Sequence, residues 1–349
     1  MDAEEFLAVR DLLRSFVTRF RVDPGLPDPK AQAVARQTLD DLGLSELRRS
    51  TPPAATAQEC ALLAEEHGRQ PMTTSFVGTA LLAPELLRLL GDTGQGTRQG
   101  TVQPDCATPT IALTQDLRFP GSDPSADDLA AWDCDGADAA LCVATDGMVT
   151  VRELGAAAPT ADLGRSVRRI PKDSPAQELG RLDPAQYAQW RAFALVMVSS
   201  ELLGAARSLL EQSVEYARER RQYGREIGSF QAVQHILADA TVLVEACTSA
   251  TRYAAWCLDD GQRPAQALQA GRVAKAEANT SLPEVVRAAM QVFGGIAQTW
   301  EFSAHLYLRR ILVGGLTLAT TPELLASLAE PASATASATA TATATEVAA

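Results

Sequence analysis

Positive charge is concentrated in one short stretch of a chain that is acidic overall. Arg218, Arg220, Arg221 and Arg225 fall within eight residues, whereas the formal net charge of the chain is -12. A guanidinium group presents its N–H donors in a planar fork that suits the oxygens of phosphate and carboxylate groups. The stretch therefore predicts an anion-binding site. The alternative is a solvated helix end, where arginines interact favourably with the helix dipole.

Two predicted helices hold this stretch between them. The first starts at about Pro184 and carries apolar residues at every third or fourth position, which indicates one buried face. Gly224 and Gly228, with no apolar period between them, predict a tight turn. The period returns at Phe230 and continues to about Leu258, so a second long helix is expected there.

Two blocks of residues share their order and spacing with a known family. The first block reads Tyr216-Ala217-x-x-Arg220-x-x-Tyr223-Gly224, then Phe230-Gln231 and Ala238-Asp239. The second reads Gln291-Val-Phe-Gly294-Gly295, then Thr299-Trp300-Glu301 and His305-Leu-Tyr-Leu-Arg309-Arg310. Together they resemble the helical C-terminal domain of the acyl-CoA dehydrogenases, and the likeness runs from about Ala185 to Leu312.

The resemblance implies a flavin site that two subunits share. In the family the first block reaches the pyrophosphate and adenine end of an FAD held mainly by the neighbouring chain, and the glycine pair approaches it closely. The positions that carry this role over are Arg220, Gln222, Tyr223, Gln231, Gln291, Gly294 and Gly295. An arginine fork fits a pyrophosphate, and paired glycines let backbone amides approach an anion without a side chain between them.

Composition excludes several other classes of protein. The chain has 349 residues, of which 46% are hydrophobic and 21% charged, as in an ordinary globular protein with two or three packed units. The acidic balance argues against a nucleic-acid binder and leaves no polybasic patch for a membrane. No apolar run looks long enough to span a bilayer, and the acidic start does not resemble a secretory signal. Six cysteines without paired spacing predict reduced thiols and a cytoplasmic protein.

The predicted fold is mainly α and acyl-CoA dehydrogenase-like. Residues 1–100 form an N-terminal helical domain with four helices, followed by a reduced β-domain at 101–175 and a C-terminal four-helix bundle at 176–330. The segment at 91–100 is polar and Gly-rich, which predicts a linker. Residues 331–349 are almost wholly Ala, Ser and Thr and have too little apolar bulk to offset the entropy of ordering, so they are predicted to be disordered.

The β-domain departs from the family pattern. Its expected strands cover residues 110–114, 139–144, 148–153 and 166–170. Thr114-Gln115-Asp116 stands where the family has T-E-P, and Gly121-Ser122-Asp123 follows with extra residues between. That second triplet is either a simple turn or a retained flavin contact. We expect that this chain cannot hold the isoalloxazine ring well by itself.

No carboxylate stands where the family has its catalytic base. The reaction needs one, because the thioester α-carbon is too weak an acid to ionise unaided. The two family positions fall at Leu318 and Ala194, and neither side chain can move a proton. Glu201 is a weak candidate for a substitute base, and Glu301 a weaker one, since both have structural interpretations.

A metal site has little support in the sequence. His235 and Asp239 are four residues apart on one predicted helix, but the chain contains only three histidines, and a packed helix face explains the pair better than a metal site does. We therefore expect no metal.

The sequence leaves two functions open. The first is an FAD-dependent acyl-CoA dehydrogenase, or a subunit of one, that forms an enoyl-CoA from an acyl-CoA thioester in lipid or sterol catabolism. This chain would lend part of the FAD site across a homo- or hetero-oligomeric interface, and an electron-transfer acceptor would reoxidise the flavin. The alternative is a flavin-free scaffold that stabilises a true dehydrogenase. The intact arginine turn and glycine pair favour the first function.

Overall fold

A computed structural model describes residues 2–22, 29–91, 108–124, 127–261 and 263–329. The predicted linker at 91–100 lies almost wholly outside these ranges, and so do the predicted disordered tail at 331–349 and Cys106. The other five cysteines are free and buried. The mainly α, acyl-CoA dehydrogenase-like fold predicted from the sequence is confirmed.

Four α-helices build the N-terminal part. Their bounds are Ala3–Arg19 (α1), Pro29–Asp41 (α2), Ala57–Gly68 (α3) and Ala83–Gly91 (α4). Asp2 and Thr56 begin α1 and α3 with capping boxes, in which each side chain accepts from a backbone N–H three residues on. The fourth predicted helix, at residues 76–90, begins as a π-helical turn at Val77–Leu82 before α4.

The middle part is one six-stranded sheet. Its strands are Pro109–Thr114 (β1), Leu129–Trp132 (β2), Ala139–Val143 (β3), Met148–Glu153 (β4), Val167–Arg169 (β5) and Gln177–Arg181 (β6). They lie in the order β5-β2-β1-β3-β4-β6, with β1 and β3 parallel and the other pairs antiparallel. The sequence predicted four of these strands but neither β2 nor β6.

The C-terminal part consists of long helices joined by the arginine turn. Its elements are Pro184–Glu219 (α5), Arg221–Gln222 (β7), Arg225–Glu226 (β8), Gln231–Asp260 (α6), Pro264–Phe293 (α7), Ala304–Gly314 (α8) and Thr321–Ala329 (α9). The short strands β7 and β8 pair as a hairpin. Pro283 predicts a bend that divides this region into two helical parts, and that prediction is wrong, because α7 continues through Pro283.

Helix α5 is the centre of the protein. It packs most extensively against α7, and α3 crosses it on another side. At that crossing a Cβ added to Gly204 would lie 1.9 Å from the carbonyl oxygen of Glu65, so only glycine allows the helix backbones to approach this closely.

One expectation about α5 needs correction. It contains an 18-residue window with a mean hydropathy of 1.5, so its length and composition do pass the test for a membrane span. The fold buries 94% of this window inside the protein. The apolar character of α5 is therefore explained by its position in the core.

Candidate functional site

The backbone of the arginine turn is held on both sides of Arg220. Its N–H donates to the carbonyl of Tyr216 at 2.8 Å and so closes the last turn of α5. Its carbonyl accepts from the N–H of Ile227, also at 2.8 Å, across the β7–β8 hairpin. Tyr223 (φ 52°) and Gly224 (φ 78°) turn the chain between the two strands. The turn is therefore a fixed platform for its side chains.

The four arginines on this platform have different environments. Arg221 pairs with Glu226 at 2.6 Å, and Arg218 pairs with Glu215 at 3.3 Å. The guanidinium of Arg225 lies 4.1 Å above the ring of Phe230. Arg220 is exposed, and its guanidinium has no ion-pair or hydrogen-bond partner within the part of the chain that the structure describes. Arg220 and Arg225 are thus the arginines of the turn whose donors lack a partner among the described residues, and of the two only Arg220 is also without a ring contact.

The predicted glycine pair follows the end of α7. Gly294 has φ 68° and ψ -143°, a conformation that favours glycine, and both Gly294 and Gly295 face open space where a side chain would be. Beside them Trp300, 53% exposed, stacks on the ring of His305 with centroids 4.6 Å apart. The backbone is thus accessible to a ligand or a partner chain.

Ring contacts connect the two predicted blocks. The ring of Tyr216, one helical turn before Arg220, lies 5.3 Å from the ring of Phe293, which directly precedes Gly294. The other predicted cofactor residues, Gln222, Tyr223, Gln231 and Gln291, are all exposed. Tyr223 is 93% exposed, and Gln231 Nε2 lies 3.4 Å from His235 Nε2. The structure thus places these side chains at the surface, where a second chain could meet them.

The first family position for the base is closed by the protein itself. Leu318 is 2% exposed and has φ 72°, which is strained for a residue with a branched side chain. Its N–H donates to the carbonyl of Leu117 at 2.7 Å, and Leu117 also has a positive φ of 66°. Ala194, at the other base position, is fully buried within α5. Neither position presents a carboxylate to a cleft.

Arg118 strengthens this closure. It donates to the backbone carbonyls of Leu316 and Asp116, and its guanidinium pairs with Glu323 at 3.0 Å. Glu323 in turn accepts from the backbone and hydroxyl of Thr320. We call the resulting junction of residues 114–118 with residues 316–323 the closed contact.

The closed contact decides how a flavin fits this chain. Residues 114–118 are where the resemblance put a flavin and thioester contact, but they bond to the segment that carries Leu318. Gly121 donates to Asp127 at 2.9 Å and accepts from Thr145 at 3.2 Å, so it serves a turn within the β-domain. The exposed edge at Arg220 and Gly294 fits the pyrophosphate end of FAD, whereas the closed contact does not fit its ring.

A buried lysine supports the same segment from inside. Lys275 on α7 is fully buried and donates to the carbonyl of Gly314 at 2.8 Å and to the side chain of Asn279. Asn279 donates at 3.1 Å to the carbonyl of Ala319. Burial, helped by the positive charge of Arg118, lowers the pKa of Lys275 to about 7. The segment between Gly314 and Ala319 is therefore fixed on two sides.

Glu201, the weak candidate for a base, lies in a buried ion-pair cluster. Its carboxylate accepts from Arg165 and, at 3.2 Å, from Arg310, and His67 Nδ1 lies 3.2 Å away. Asp133 and Asp162 also pair with these arginines, at 2.6 Å from Arg165 and 2.5 Å from Arg310 respectively. Burial would raise the pKa of Glu201, but the two guanidinium groups outweigh it and hold that pKa well below its usual range. A buried, paired carboxylate of this kind is a poor proton acceptor, which argues against Glu201 as the base.

Sequence reasoning missed the residues that close the site and form the cluster. Arg118, Arg165 and Lys275 drew no attention because nothing near them in sequence indicates a partner. A lysine within the apolar period of α7 was a usable signal, since lysine is rarely buried without a specific role. The pairs of Arg165 with Glu201 and of Arg118 with Glu323 join residues 36 and 205 positions apart, beyond the reach of a local pattern.

Comparisons with known proteins agree with this geometry. Residues 193–317 match the family model described as "Acyl-CoA dehydrogenase, C-terminal domain". "Acyl-CoA dehydrogenase IpdE2" of Mycobacterium tuberculosis is 36% identical over 135 residues, which are 39% of this chain and 40% of that protein. Its namesake from Mycolicibacterium smegmatis is 28% identical over 257 residues, 72% of this chain and 71% of the relative. Residues 193–317 therefore match the C-terminal domain of the acyl-CoA dehydrogenases, and the relatives that the longer chain resembles are members of the same family.

Solved structures of this family share the fold over nearly the whole chain. A "Tcur3481-Tcur3483 steroid ACAD" variant has a TM-score of 0.74 at 23% identity, covering 93% of this chain and 96% of its own. The "ChsE4-ChsE5 complex from Mycobacterium tuberculosis" has a TM-score of 0.72 at 19% identity, with 95% and 99% covered. Acyl-CoA dehydrogenases are oxidoreductases, and members of the family generally use FAD.

Proposed function

We propose that this chain is a subunit of an FAD-dependent acyl-CoA dehydrogenase that lends part of the flavin site to a neighbouring chain and does not carry the catalytic base. The observation that carries the proposal is Arg220, an exposed guanidinium without a carboxylate partner among the described residues, on a turn whose backbone is fixed. An arginine in this state breaks no ion pair when it meets a pyrophosphate, and it gains charge-assisted hydrogen bonds there.

The other residues of this edge have supporting roles. Gln222, Gln231 and Gln291 supply amide groups for the adenine end, and Gly294 and Gly295 expose their backbone to the same ligand. Tyr223 offers an aromatic face to the partner chain. Bound flavin would supply the acceptor for a hydride from the substrate.

Base and thioester site belong to the partner in this proposal. The absence of a carboxylate at Leu318 and Ala194, together with the closed contact, supports that assignment. The name ChsE4-ChsE5 complex describes a solved neighbour as a complex of two proteins, which supports a hetero-oligomer here. The name of one solved neighbour refers to a steroid, which supports a sterol or other lipid-derived acyl-CoA as the substrate class. An electron-transfer acceptor and a cytoplasmic location complete the proposal.

The test compares two arginines of the same turn. The chain is purified with the dehydrogenase subunit that accompanies it, and FAD affinity is measured for the wild type and for Arg220→Ala and Arg218→Ala. Loss of a charge-assisted contact costs about 1.5–3 kcal/mol, so Arg220→Ala should weaken FAD binding roughly tenfold to a hundredfold. Arg218→Ala removes the same charge from an arginine that Glu215 already pairs, and it should change affinity little.

The competing function is a flavin-free scaffold, which the closed contact favours. Equal affinities for wild type and Arg220→Ala would support the scaffold and reject the shared flavin site. Flavin bound with full affinity by the isolated chain would also contradict the proposal, because it would place the whole site within one subunit.

A further inference from the structure

Three aromatic rings lie in a row between the arginine turn and the glycine pair. Tyr216 contacts Phe293 with centroids 5.3 Å apart, and Phe293 contacts Phe302 at 4.8 Å in an edge-to-face arrangement. Phe293 is buried and the other two are half-buried. We call Tyr216, Phe293 and Phe302 the aromatic row.

Two members of the row, Tyr216 and Phe293, are each tied directly to a residue of the proposed flavin edge. The carbonyl of Tyr216 accepts from the N–H of Arg220, so the two residues close one turn of α5. Phe293 is the last residue of α7 and is covalently joined to Gly294. The Tyr216–Phe293 contact therefore fixes the end of α5 relative to the end of α7 at the level where both cofactor blocks begin.

We propose that Tyr216 and Phe293 are positioning residues, which hold Arg220 and the glycine pair in the relation needed to contact one dinucleotide together. This inference rests on the proposed shared flavin site and names the residues that set its geometry. Aromatic pairs in edge-to-face or tilted contact are directional, so they fix relative position better than aliphatic packing of the same area. Neither ring touches the ligand in this proposal.

The residues of the arginine turn are bonded to the end of α5 and to one another. Ile227 bonds to the carbonyl of Arg220, and Arg221 pairs with Glu226 across the hairpin. The guanidinium of Arg225 covers Phe230, whose ring also contacts the edge of Tyr223 at 6.3 Å. Because these contacts make the turn one unit, a shift at Tyr216 moves the whole turn.

A double-mutant cycle on FAD affinity tests the proposal in the co-purified oligomer. Tyr216→Leu removes the ring contact, Tyr216→Phe retains it, and each is combined with Arg220→Ala. We expect Tyr216→Leu to weaken FAD binding about threefold to tenfold in the wild-type background and hardly at all in the Arg220→Ala background. Such non-additivity is the mark of two residues that act through one another. Tyr216→Phe should keep wild-type affinity.

Other outcomes have separate meanings. If Arg220→Ala weakens binding but Tyr216→Leu has no effect, or the two effects add, the positioning role is rejected while the shared flavin site stands. If Arg220→Ala has no effect, both proposals fall. Phe293→Leu is the second variant: weaker FAD binding with an unchanged melting temperature of the apo-oligomer supports positioning. Unchanged FAD binding by a folded Phe293→Leu oligomer argues against it.

Discussion

The cations of this protein occupy two opposite environments. Arg220 lies on a turn where only the backbone is engaged and the guanidinium faces outward. Arg165 and Arg310 lie in the interior, where carboxylates of Glu201 and two aspartates engage them. The residue type is the same, but pairing determines its role: satisfied donors hold segments together, and unsatisfied donors on a fixed backbone are free to bind. The comparison predicts large effects of interior substitutions on stability and small ones at the turn.

The largest effect is expected for Glu201→Gln. Removal of this charge takes a charge-assisted hydrogen bond from each of Arg165 and Arg310, which keep their aspartates, and the loss of two such bonds costs about 3–6 kcal/mol. Chemical denaturation should show a lower free energy of unfolding by that amount. Glu215→Gln, on the same helix in an exposed pair with Arg218, is the control and should change it by less than about 0.5 kcal/mol. If both variants lost equally little free energy of unfolding, interior and surface ion pairs would not differ in their contribution to stability.

The buried Lys275 should make the free energy of unfolding depend on pH. Its pKa of about 7 in the folded protein lies below the ordinary value of 10.5, so between these values the unfolded chain binds more protons than the folded one. The free energy of unfolding should therefore rise with pH from about 7 to 10.5 and lose this contribution as pH falls towards 7. Lys275→Met should flatten the rise, whereas Lys172→Met, at an exposed lysine, should leave it intact. A rise that persists in Lys275→Met would assign it to other groups.

Arg118 belongs to an intermediate environment, since its side chain is 20% exposed and pairs with a more exposed Glu323. Arg118→Ala should lower the free energy of unfolding by about 1–2 kcal/mol through loss of charge-assisted hydrogen bonds. Hydrogen exchange of the Leu318 amide should become faster, because Arg118 no longer holds together the two segments that the hydrogen bond from Leu318 to Leu117 joins. Arg181→Ala, which breaks an exposed pair with Asp146, is the control. Unchanged exchange at Leu318 would mean that Arg118 does not maintain the closed contact.

The smallest effect on stability is expected at the turn itself. Arg220→Ala removes no side-chain contact among the described residues, so the apo-protein should unfold within about 0.5 kcal/mol of the wild type. The same substitution is the one expected to weaken FAD binding most. A clear loss of stability in the apo-protein would show that Arg220 has a structural partner, and the comparison would fail.

Local signals predicted much of the scaffold. Asp183 and Pro184 correctly marked the start of α5, and Met148–Glu153 was predicted to the residue. Strand β2, Leu129–Trp132, was missed because alanines carry little β preference, and its pairing with β1 and β5 supplies the stabilisation. Pro283 does not break α7, because packing of this helix against α5 and α6 outweighs the loss of one backbone hydrogen bond.

The candidate site was predictable only where its residues are close in sequence. The arginine turn and the glycine pair are short blocks, and their types and spacing indicated an anion site and a family. The carboxylates that pair with Arg218 and Arg221 are also close in sequence, three and five residues away, but the exposure of Arg220 depends on which segments the fold packs beside the turn. The closed contact joins Arg118 to Glu323 across the length of the chain, so no local pattern could indicate it.

Burial of Lys275 also limits how this protein can be studied by amine chemistry. The sequence contains only three lysines, Lys30, Lys172 and Lys275, and the first two are exposed. Both exposed lysines precede α5, so the C-terminal helices offer no accessible lysine amine among their described residues. Amine-reactive cross-linkers will therefore report neighbours of the N-terminal and β-sheet parts and miss a subunit bound to the helical bundle. Carboxylate- or arginine-directed reagents are needed to map that face.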